Sequence, residues 1–318
     1  MNMKIAKNLT DLIGNTPTIR LNALTGKDDA TIFAKLEAYN PGGSIKDRIS
    51  YAMIVDAEER GILRKGDTIV EPTAGNTGLG LSIVGIARGY PVTLTMPENV
   101  SREKYELLSA FGAKIVLTPE HGGMASAIWE AETIVRQNPR HYMPNQFTNP
   151  ANPEIHRRTT AVEILKAIGT DIDFCVIGVG TGGTLTGVGE VLKAECPNVK
   201  VVAVEPRVSA VLSGGKPGPT RIDGLGAGMV PEVLNVDVID EVITVSEKEA
   251  YEMMKTISRT EGLLVGMSSG ANVYAALKVA KAQGRDKTVV TILPDTGERY
   301  FSLSRYFEIE SDIMDTLP

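Results

Sequence analysis

A glycine-rich turn at residues 178–183 is the first candidate binding site in this sequence. It reads Gly-Val-Gly-Thr-Gly-Gly, follows an apolar run and precedes a helical pattern that starts at Thr184. In such a turn, backbone N–H groups at a helix N-terminus can converge on a phosphate. The G-x-G-x-x-G spacing, with Glu205 ending the next predicted strand, is also typical of a dinucleotide-binding fold. Three alternatives stay open: a dinucleotide, another phosphate-bearing cofactor, or a turn that only packs a helix on a strand.

A second strand-to-helix turn carries hydroxyl and amide groups. It reads Glu-Pro-Thr-Ala-Gly-Asn-Thr-Gly at residues 71–78. Its polar side chains stand where the first N–H groups of a helix have no backbone partner. The turn could hold a substrate carboxylate, but ordinary N-capping by threonine or asparagine explains it equally well.

A lysine follows a double-glycine turn near the N-terminus. The segment reads Asn-Pro-Gly-Gly-Ser-Ile-Lys-Asp-Arg at residues 40–48 and places Lys46 at the start of a predicted helix. The segment does not match a Walker A loop, because Ile45 precedes the lysine and Asp47 follows it. An isolated lysine in this position is usually solvated, so the motif alone assigns no role to Lys46.

Two further segments are weak singly. Residues 262–271 end an apolar run in Ser268 and Ser269, which open a helical pattern, and residues 294–300 directly follow a predicted strand that ends at Leu293. Both are expected at the carboxyl ends of parallel strands, where open α/β sheets bind their ligands.

The elements that must position these segments alternate between strand and helix. β-branched runs predict strands at 67–71, 91–96, 114–118, 174–179, 200–205 and 288–293. Helical patterns begin near residues 77, 101, 124 and 184, and a capping box at Ser246 and Glu249 opens another. The pattern predicts an α/β protein with two mostly parallel sheets flanked by helices. A segment rich in proline and asparagine near residues 145–153 separates the halves, and residues 206–232 are expected to form a binding loop or lid.

Composition excludes several classes of protein. The 318 residues carry 33 Lys and Arg against 39 Asp and Glu, a net charge of −6, which disfavours nucleic acid as a partner. Cys175 and Cys196 lack metal-site spacing and suggest a reducing compartment. The three histidines are scattered, so no metal site is expected. Without an apolar leader or a membrane-length apolar run, we expect a cytoplasmic protein that does not bind membranes.

Taken together and in order, the five segments resemble the cysteine synthase and cystathionine β-synthase family. The resemblance extends from Leu-Ile-Gly-Asn-Thr-Pro at residues 12–17 to Glu-Arg-Tyr at residues 298–300. It implies a fold-type II enzyme dependent on pyridoxal 5'-phosphate, similar to the tryptophan synthase β subunit. A smaller mobile domain is expected over residues 45–150 and a larger domain over residues 1–44 and 151–318.

The resemblance also implies roles for individual residues. Lys46 would bind the cofactor covalently, Asn76 would contact its phenolic oxygen and Ser268 its pyridine nitrogen. A neutral serine at that nitrogen favours β-elimination over transamination. The cofactor phosphate would lie on Gly180, Thr181, Gly182, Gly183 and Thr184. The substrate carboxylate would lie on Thr73, Ala74, Gly75, Asn76, Thr77 and Gln146, and Gly224 would line the mouth of the site.

The expected reaction is a β-replacement on O-acetyl-L-serine, or on L-serine, by a thiol. Cysteine synthases typically have serine where this chain has Ala74, so both sulfide and homocysteine stay open as nucleophiles. The resemblance implies a homodimer, with serine acetyltransferase as a further partner. Two alternatives remain at this stage: a NAD-dependent dehydrogenase, based on residues 178–183, and a non-catalytic binding protein of the same fold.

Overall fold

The computed structural model describes residues 5–307, and it contains two sheets. The larger sheet has six strands in the order β1-β2-β10-β7-β8-β9, all parallel except the antiparallel pair β1 and β2. Its strands are β1 Thr18–Leu21, β2 Thr31–Leu36, β7 Phe174–Gly178, β8 Lys200–Pro206, β9 Glu241–Val245 and β10 Thr288–Leu293.

The smaller sheet has four parallel strands in the order β5-β4-β3-β6. Its strands are β3 Thr68–Pro72, β4 Val92–Pro97, β5 Lys114–Thr118 and β6 His141–Tyr142. Every residue of β4 is buried, as expected for a parallel strand with helices on both faces.

Helices connect and cover the strands. They are α1 Lys46–Glu59, α2 Asn76–Arg88, α3 Arg102–Ala110, α4 Gly123–Gln137, α5 Ala151–Ile155, α6 Val162–Ile168, α7 Gly183–Glu195, α8 Glu247–Thr260, α9 Met267–Gln283 and α10 Ser304–Phe307. One apolar core surrounds the smaller sheet, and two others pack on the larger sheet. Cys175 and Cys196 are buried within one of these cores.

The predicted α/β architecture is confirmed, and the strands at 114–118 and 288–293 have the predicted bounds. The capping box at Ser246 and Glu249 is formed. The prediction omitted four strands: β1, β2, β6 and β9. Only two residues long, β6 is too short for a periodic signal, and β1 and β9 are edge strands of the larger sheet, where burial shapes the sequence less.

A buried cluster of charges joins the first strands to α1 and α6. The Arg48 guanidinium donates to Glu37 at 2.7 Å and to Glu163 at 2.7 Å, and Lys35 pairs with Glu163 at 2.7 Å. Arg48, Lys35 and Glu37 are fully buried. Buried charges of this kind require their partners, so the cluster fixes the start of α1 against the larger sheet.

Within residues 5–307, no helix is long and apolar enough to cross a membrane. The same part of the chain contains no group of three or more His, Cys, Asp or Glu side chains arranged to hold a metal ion. Residues 1–4 and 308–318, which end the predicted larger domain, lie outside the described residues.

Candidate active site

A cavity of about 300 Å³ lies at the carboxyl ends of the parallel strands, between the two sheets. It is lined by the segments that follow β3, β7 and β10, and by the starts of α1 and α9. Four helices, α1, α2, α7 and α9, begin beside it. Their N-terminal N–H groups and dipoles make the cavity favourable for anionic groups.

Lys46 is the first residue of α1 and lines the cavity. Desolvation by burial lowers the pKa of its ammonium group, and the negative charge of Asp295 partly opposes that shift. Within residues 5–307, the Lys46 amine has no hydrogen-bond partner. It is therefore a primary amine held toward its neutral, nucleophilic form and open to the cavity.

The glycine turn before α7 presents mainly backbone to the cavity. Gly182 caps the helix at a φ of +84°, which glycine adopts without strain. A Cβ atom on Gly180 would lie 1.9 Å from the Gly224 carbonyl oxygen, so only glycine fits there. Gly180, Thr181, Gly182 and Thr184 line the cavity; Gly183 stands behind them, against Asn152.

Buried side chains orient the two threonines of this turn. Asn152 donates to Thr181 Oγ1 at 3.1 Å, and His156 Nε2 lies 3.2 Å from Thr184 Oγ1. Burial, followed by the charges of Arg48 and Lys46, lowers the pKa of His156 well below its usual value. A neutral imidazole therefore holds Thr184, and the turn matches the needs of a phosphate group: free N–H groups, two hydroxyls and a helix N-terminus.

The turn after β3 forms the opposite wall. Thr77 Oγ1 donates to Gln146 Oε1 at 2.6 Å, and Thr73 Oγ1 accepts from the Gly75 N–H at 3.2 Å. Thr73, Ala74, Gly75, Asn76, Thr77 and Gln146 all line the cavity. The arrangement concentrates N–H and hydroxyl groups at the N-terminus of α2, which suits a carboxylate.

Glu71 positions Gln146 from below this wall. Its carboxylate accepts the Asn145 N–H at 2.9 Å and the Gln146 N–H at 3.1 Å. Burial raises the pKa of Glu71 to about 7, and the same two hydrogen bonds act in the opposite direction. Glu71 stands within a predicted motif, yet its function as the support of Gln146 depends on a contact that spacing alone does not predict.

Ser268 and Gly224 complete the predicted set, and both line the cavity. Ser268 is the second residue of α9, where the Ser268 side chain is almost completely buried. Gly224 has a φ of +85° in the segment after β8. The loop predicted at 206–232 has no strand or α-helix after Pro206, and this irregular segment continues to residue 240.

Three residues of the motif at 294–300 had no function assigned from the sequence: Arg299 and Tyr300 line the cavity, and Asp295 contacts Asn76 from behind it. Asp295 accepts from Asn76 at 2.6 Å and also from the Tyr300 hydroxyl, and Arg299 donates to Asn76 Oδ1. Burial raises the pKa of Asp295 and raises that of Tyr300 well above its ordinary value. The position of the motif directly after β10 was the only signal for them in the sequence.

Glu205 has a structural function here. Its buried carboxylate accepts the Leu212 N–H at 2.9 Å, and Ser213 donates to it from both N–H and hydroxyl, at 2.9 and 2.6 Å. The carboxylate is thus buried and held by three hydrogen bonds from its own loop, so it is not presented to a ribose hydroxyl. The dehydrogenase alternative loses the acidic residue on which it rested.

The fold and the site together define a class of enzyme that holds a phosphate-bearing cofactor over a reactive lysine. The family model of pyridoxal-phosphate-dependent enzymes matches residues 9–295, and the chain belongs to that family.

Within the family, the chain is similar to cysteine synthases. It is 50% identical over 307 residues to the cysteine synthase of Staphylococcus aureus, covering 96% of this chain and 99% of that one. The cysteine synthase of Entamoeba histolytica superposes with a TM-score of 0.93 at 38% identity, covering 98% and 94% of the two chains. The O-acetylserine-dependent cystathionine β-synthase of Helicobacter pylori superposes with a TM-score of 0.88 at 38% identity, covering 94% and 98%. The predicted family, enzyme class and cofactor are confirmed.

Proposed function

We propose that this enzyme joins a thiol to the β-carbon of O-acetyl-L-serine, or of L-serine, and so forms L-cysteine from sulfide and L-cystathionine from homocysteine. The main support for this proposal is that Lys46, the glycine turn at 180–184 and the turn at 73–77 all line the same cavity. The relatives that act as cysteine synthase and as O-acetylserine-dependent cystathionine β-synthase support the two nucleophiles.

The residues of the cavity suit the binding steps. We assign the cofactor phosphate to residues 180–184, the phenolic oxygen to Asn76 and the ring nitrogen to Ser268. The substrate carboxylate belongs on the N-terminus of α2, with Thr73, Thr77 and Gln146 around it. These contacts would hold the amino acid with its α-carbon toward Lys46, which lowers the entropy cost of the reaction.

Proton transfer is the function of Lys46. When bound, pyridoxal phosphate supplies the electron sink that lets the α-proton and then the β-substituent of the amino acid leave. The Lys46 amine takes that proton from the α-carbon and returns it once the thiol has added. Its lowered pKa favours the neutral form that a general base requires.

The test combines spectroscopy with chemical labelling. We expect a visible absorption band from the bound cofactor, and borohydride reduction followed by peptide mapping should label Lys46. In Lys46→Ala, the band should change and turnover should fall by several orders of magnitude, while circular dichroism stays that of the wild type. Labelling of a different lysine, or normal turnover by Lys46→Ala, would remove the assignment.

Product analysis tests the choice of substrates. Rates with O-acetyl-L-serine and L-serine as donors, each with sulfide and with homocysteine, define the activity. If no β-replacement product forms with any of the four combinations, the proposed function is wrong. A protein that binds the cofactor without turnover would be the non-catalytic alternative.

We further propose that residues 45–150 form the smaller domain and move over the cavity, that the enzyme is a cytoplasmic homodimer, and that serine acetyltransferase is a further partner. The separate core around the four-stranded sheet supports the domain assignment. Trp129, the single tryptophan, is largely exposed on α4 of that domain and provides a fluorescence signal for its movement. Analytical ultracentrifugation, alone and with serine acetyltransferase, tests the assembly.

A further inference from the structure

An ion pair crosses the mouth of the cavity. Lys104, on α3 beside the smaller sheet, donates from Nζ to Asp223 Oδ2, in the loop that follows β8 of the larger sheet. Both residues line the cavity. Their side chains are 21% and 37% exposed, so water and small solutes reach them. The pair therefore presents one positive and one negative charge at the entrance to the site.

The backbone holds Asp223 in place independently of the ion pair. Asp223 and Gly224 are the central residues of a turn closed by the Leu225 N–H and the Ile222 carbonyl at 3.1 Å. The φ of +85° at Gly224 is the value that a type II β-turn requires at its third position. The Gly224 carbonyl in turn packs against Gly180 of the predicted phosphate turn. The backbone of Asp223 is thus fixed at the rim of the cavity.

The negative charge of Asp223 also acts on Asp295 and Tyr300 at the cavity. Burial is the main reason that the pKa values of Asp295 and Tyr300 are raised, and the charge of Asp223 adds to both shifts. Asp295 is the group that acts electrostatically on Lys46. Asp223 therefore lies within electrostatic reach of the reaction centre and not only at the outer surface.

The ion pair is not the only contact between α3 and the segments that follow the strands of the larger sheet. Next to Lys104, Glu103 accepts the Ser302 N–H at 3.2 Å and forms a second link between α3 and the larger sheet's side of the molecule. A partly exposed ion pair contributes little to stability. A ligand that offers equivalent charges can therefore replace it at small cost.

We propose that Lys104 and Asp223 form a binding subsite for the zwitterionic group of a second amino acid, the thiol that attacks. This rests on the proposed function. The charges of the first amino acid are taken up deeper in the site, its carboxylate by the turn at 73–77 and its nitrogen at the position of Lys46. A second amino acid brings another carboxylate and another ammonium group, which Lys104 and Asp223 complement. Sulfide has neither group and does not need the subsite.

The lining between the subsite and the turn at 73–77 fits the remainder of such a nucleophile. Leu107, on α3 with Lys104, and Met124, on α4, line the same cavity, and Ala74 stands in the turn at 73–77. These apolar side chains would contact the methylene groups that separate thiol from zwitterion in homocysteine. The subsite thus selects an amino-acid thiol by charge at one end and by apolar contact along its chain.

The experiment compares thiols that differ by one charged group. Sulfide, L-homocysteine, 4-mercaptobutanoate and 3-aminopropanethiol are supplied with O-acetyl-L-serine to the holoenzyme. The variants are Lys104→Met and Asp223→Asn, with Arg102→Met as the matched control. Arg102 is a highly exposed cation on the same helix, and it pairs only with Glu106 among residues 5–307.

We expect the ratio of kcat/KM for homocysteine to kcat/KM for sulfide to fall about tenfold or more in each site variant, the loss typical of a charged hydrogen bond, and to stay unchanged in Arg102→Met. Lys104→Met should lower the rate with 4-mercaptobutanoate, which keeps the carboxylate, and Asp223→Asn should lower that with 3-aminopropanethiol, which keeps the ammonium group.

If kcat/KM fell equally with sulfide and with homocysteine in the two site variants, the ion pair would act in domain closure and the proposed subsite would be wrong. A wild-type enzyme that uses sulfide and rejects homocysteine overturns the subsite too, but leaves β-replacement intact. Failure with every thiol, with L-serine as well as with O-acetyl-L-serine as donor, would instead contradict the proposed function itself.

Discussion

The Asn76 side chain donates a hydrogen bond of 2.6 Å to Asp295 Oδ2, although the two residues are 219 positions apart in the chain. Arg299 donates to the other end of the same amide, at Asn76 Oδ1. The amide is therefore fixed in one orientation, with its NH2 group toward Asp295 and its oxygen toward Arg299. Asp295 is at the same time the charge that opposes the lowering of the Lys46 pKa. The Asp295 carboxylate thus orients the Asn76 amide and raises the pKa of Lys46.

We predict that Asp295→Asn lowers the pKa of Lys46 further, because the substitution removes the negative charge that stabilises the ammonium form. The measurement is the pH dependence of Lys46 labelling by an amine-reactive reagent in the apoenzyme, followed by mass spectrometry. The titration should move to lower pH in Asp295→Asn. Glu298→Gln, which removes an exposed charge three residues away, should leave it in place. If both variants titrate like the wild type, Asp295 does not act on Lys46.

Gly180→Ala should weaken cofactor binding by about tenfold or more, since a Cβ atom would lie 1.9 Å from the Gly224 carbonyl and one of the two loops must move. Cofactor affinity is measured by titrating apoenzyme with pyridoxal phosphate and following absorbance. Gly26→Ala is the control, because its Cβ would meet its nearest neighbour only at 3.4 Å, far from the cavity. Wild-type affinity in Gly180→Ala would mean that residues 178–184 are not the phosphate site.

Arg48→Met should reduce the free energy of unfolding by about 3–5 kcal/mol, the usual cost of leaving buried carboxylates without their cation. Urea denaturation at neutral pH measures it. Arg102→Met removes an exposed cation from a solvent-screened ion pair, so it should leave the free energy of unfolding almost unchanged.

The same substitution should change the acid dependence of stability. Burial tends to raise the pKa of Glu163, but the hydrogen bonds and charge of Arg48, with help from Lys35, bring it down to about 2. A lowered carboxyl pKa stabilises the fold fully above the unfolded value of 4.5 and loses that contribution as the pH falls toward 2. The difference in stability between wild type and Arg48→Met should therefore narrow over that interval. A constant difference would show that Glu163 is not the linked group.

Ala74→Ser tests the nucleophile preference from the opposite wall. The added hydroxyl takes up space beside the reacting β-carbon, so we expect the ratio of homocysteine to sulfide turnover to fall. A change of this size is worth at most about 1–3 kcal/mol, so a shift of a few-fold is expected. Steady-state rates with both thiols measure the ratio. An unchanged ratio would mean that position 74 does not contribute to the choice of thiol.

Local residue patterns were enough to predict the alternation of strands and helices and the segments that form the walls of the site. Buried parallel strands such as 288–293 and caps such as Ser246 leave local patterns, because side-chain periodicity and capping chemistry act over a few residues. The family motifs assigned Lys46, Asn76 and the turn at 180–184 to one cofactor site. In the structure, Lys46, Asn76 and that turn surround one cavity.

The contacts between side chains from different segments could be seen only in the folded chain. Asp295 accepts a hydrogen bond from Asn76, and Lys104 donates one to Asp223. The Glu205 carboxylate accepts its hydrogen bonds from its own loop. The first two contacts join segments of the two sheets that meet at the cavity, and the Glu205 contacts form where its own loop folds back. A hydrogen bond or an electric field depends on distance in space, and sequence spacing does not contain that distance once the chain has crossed between sheets.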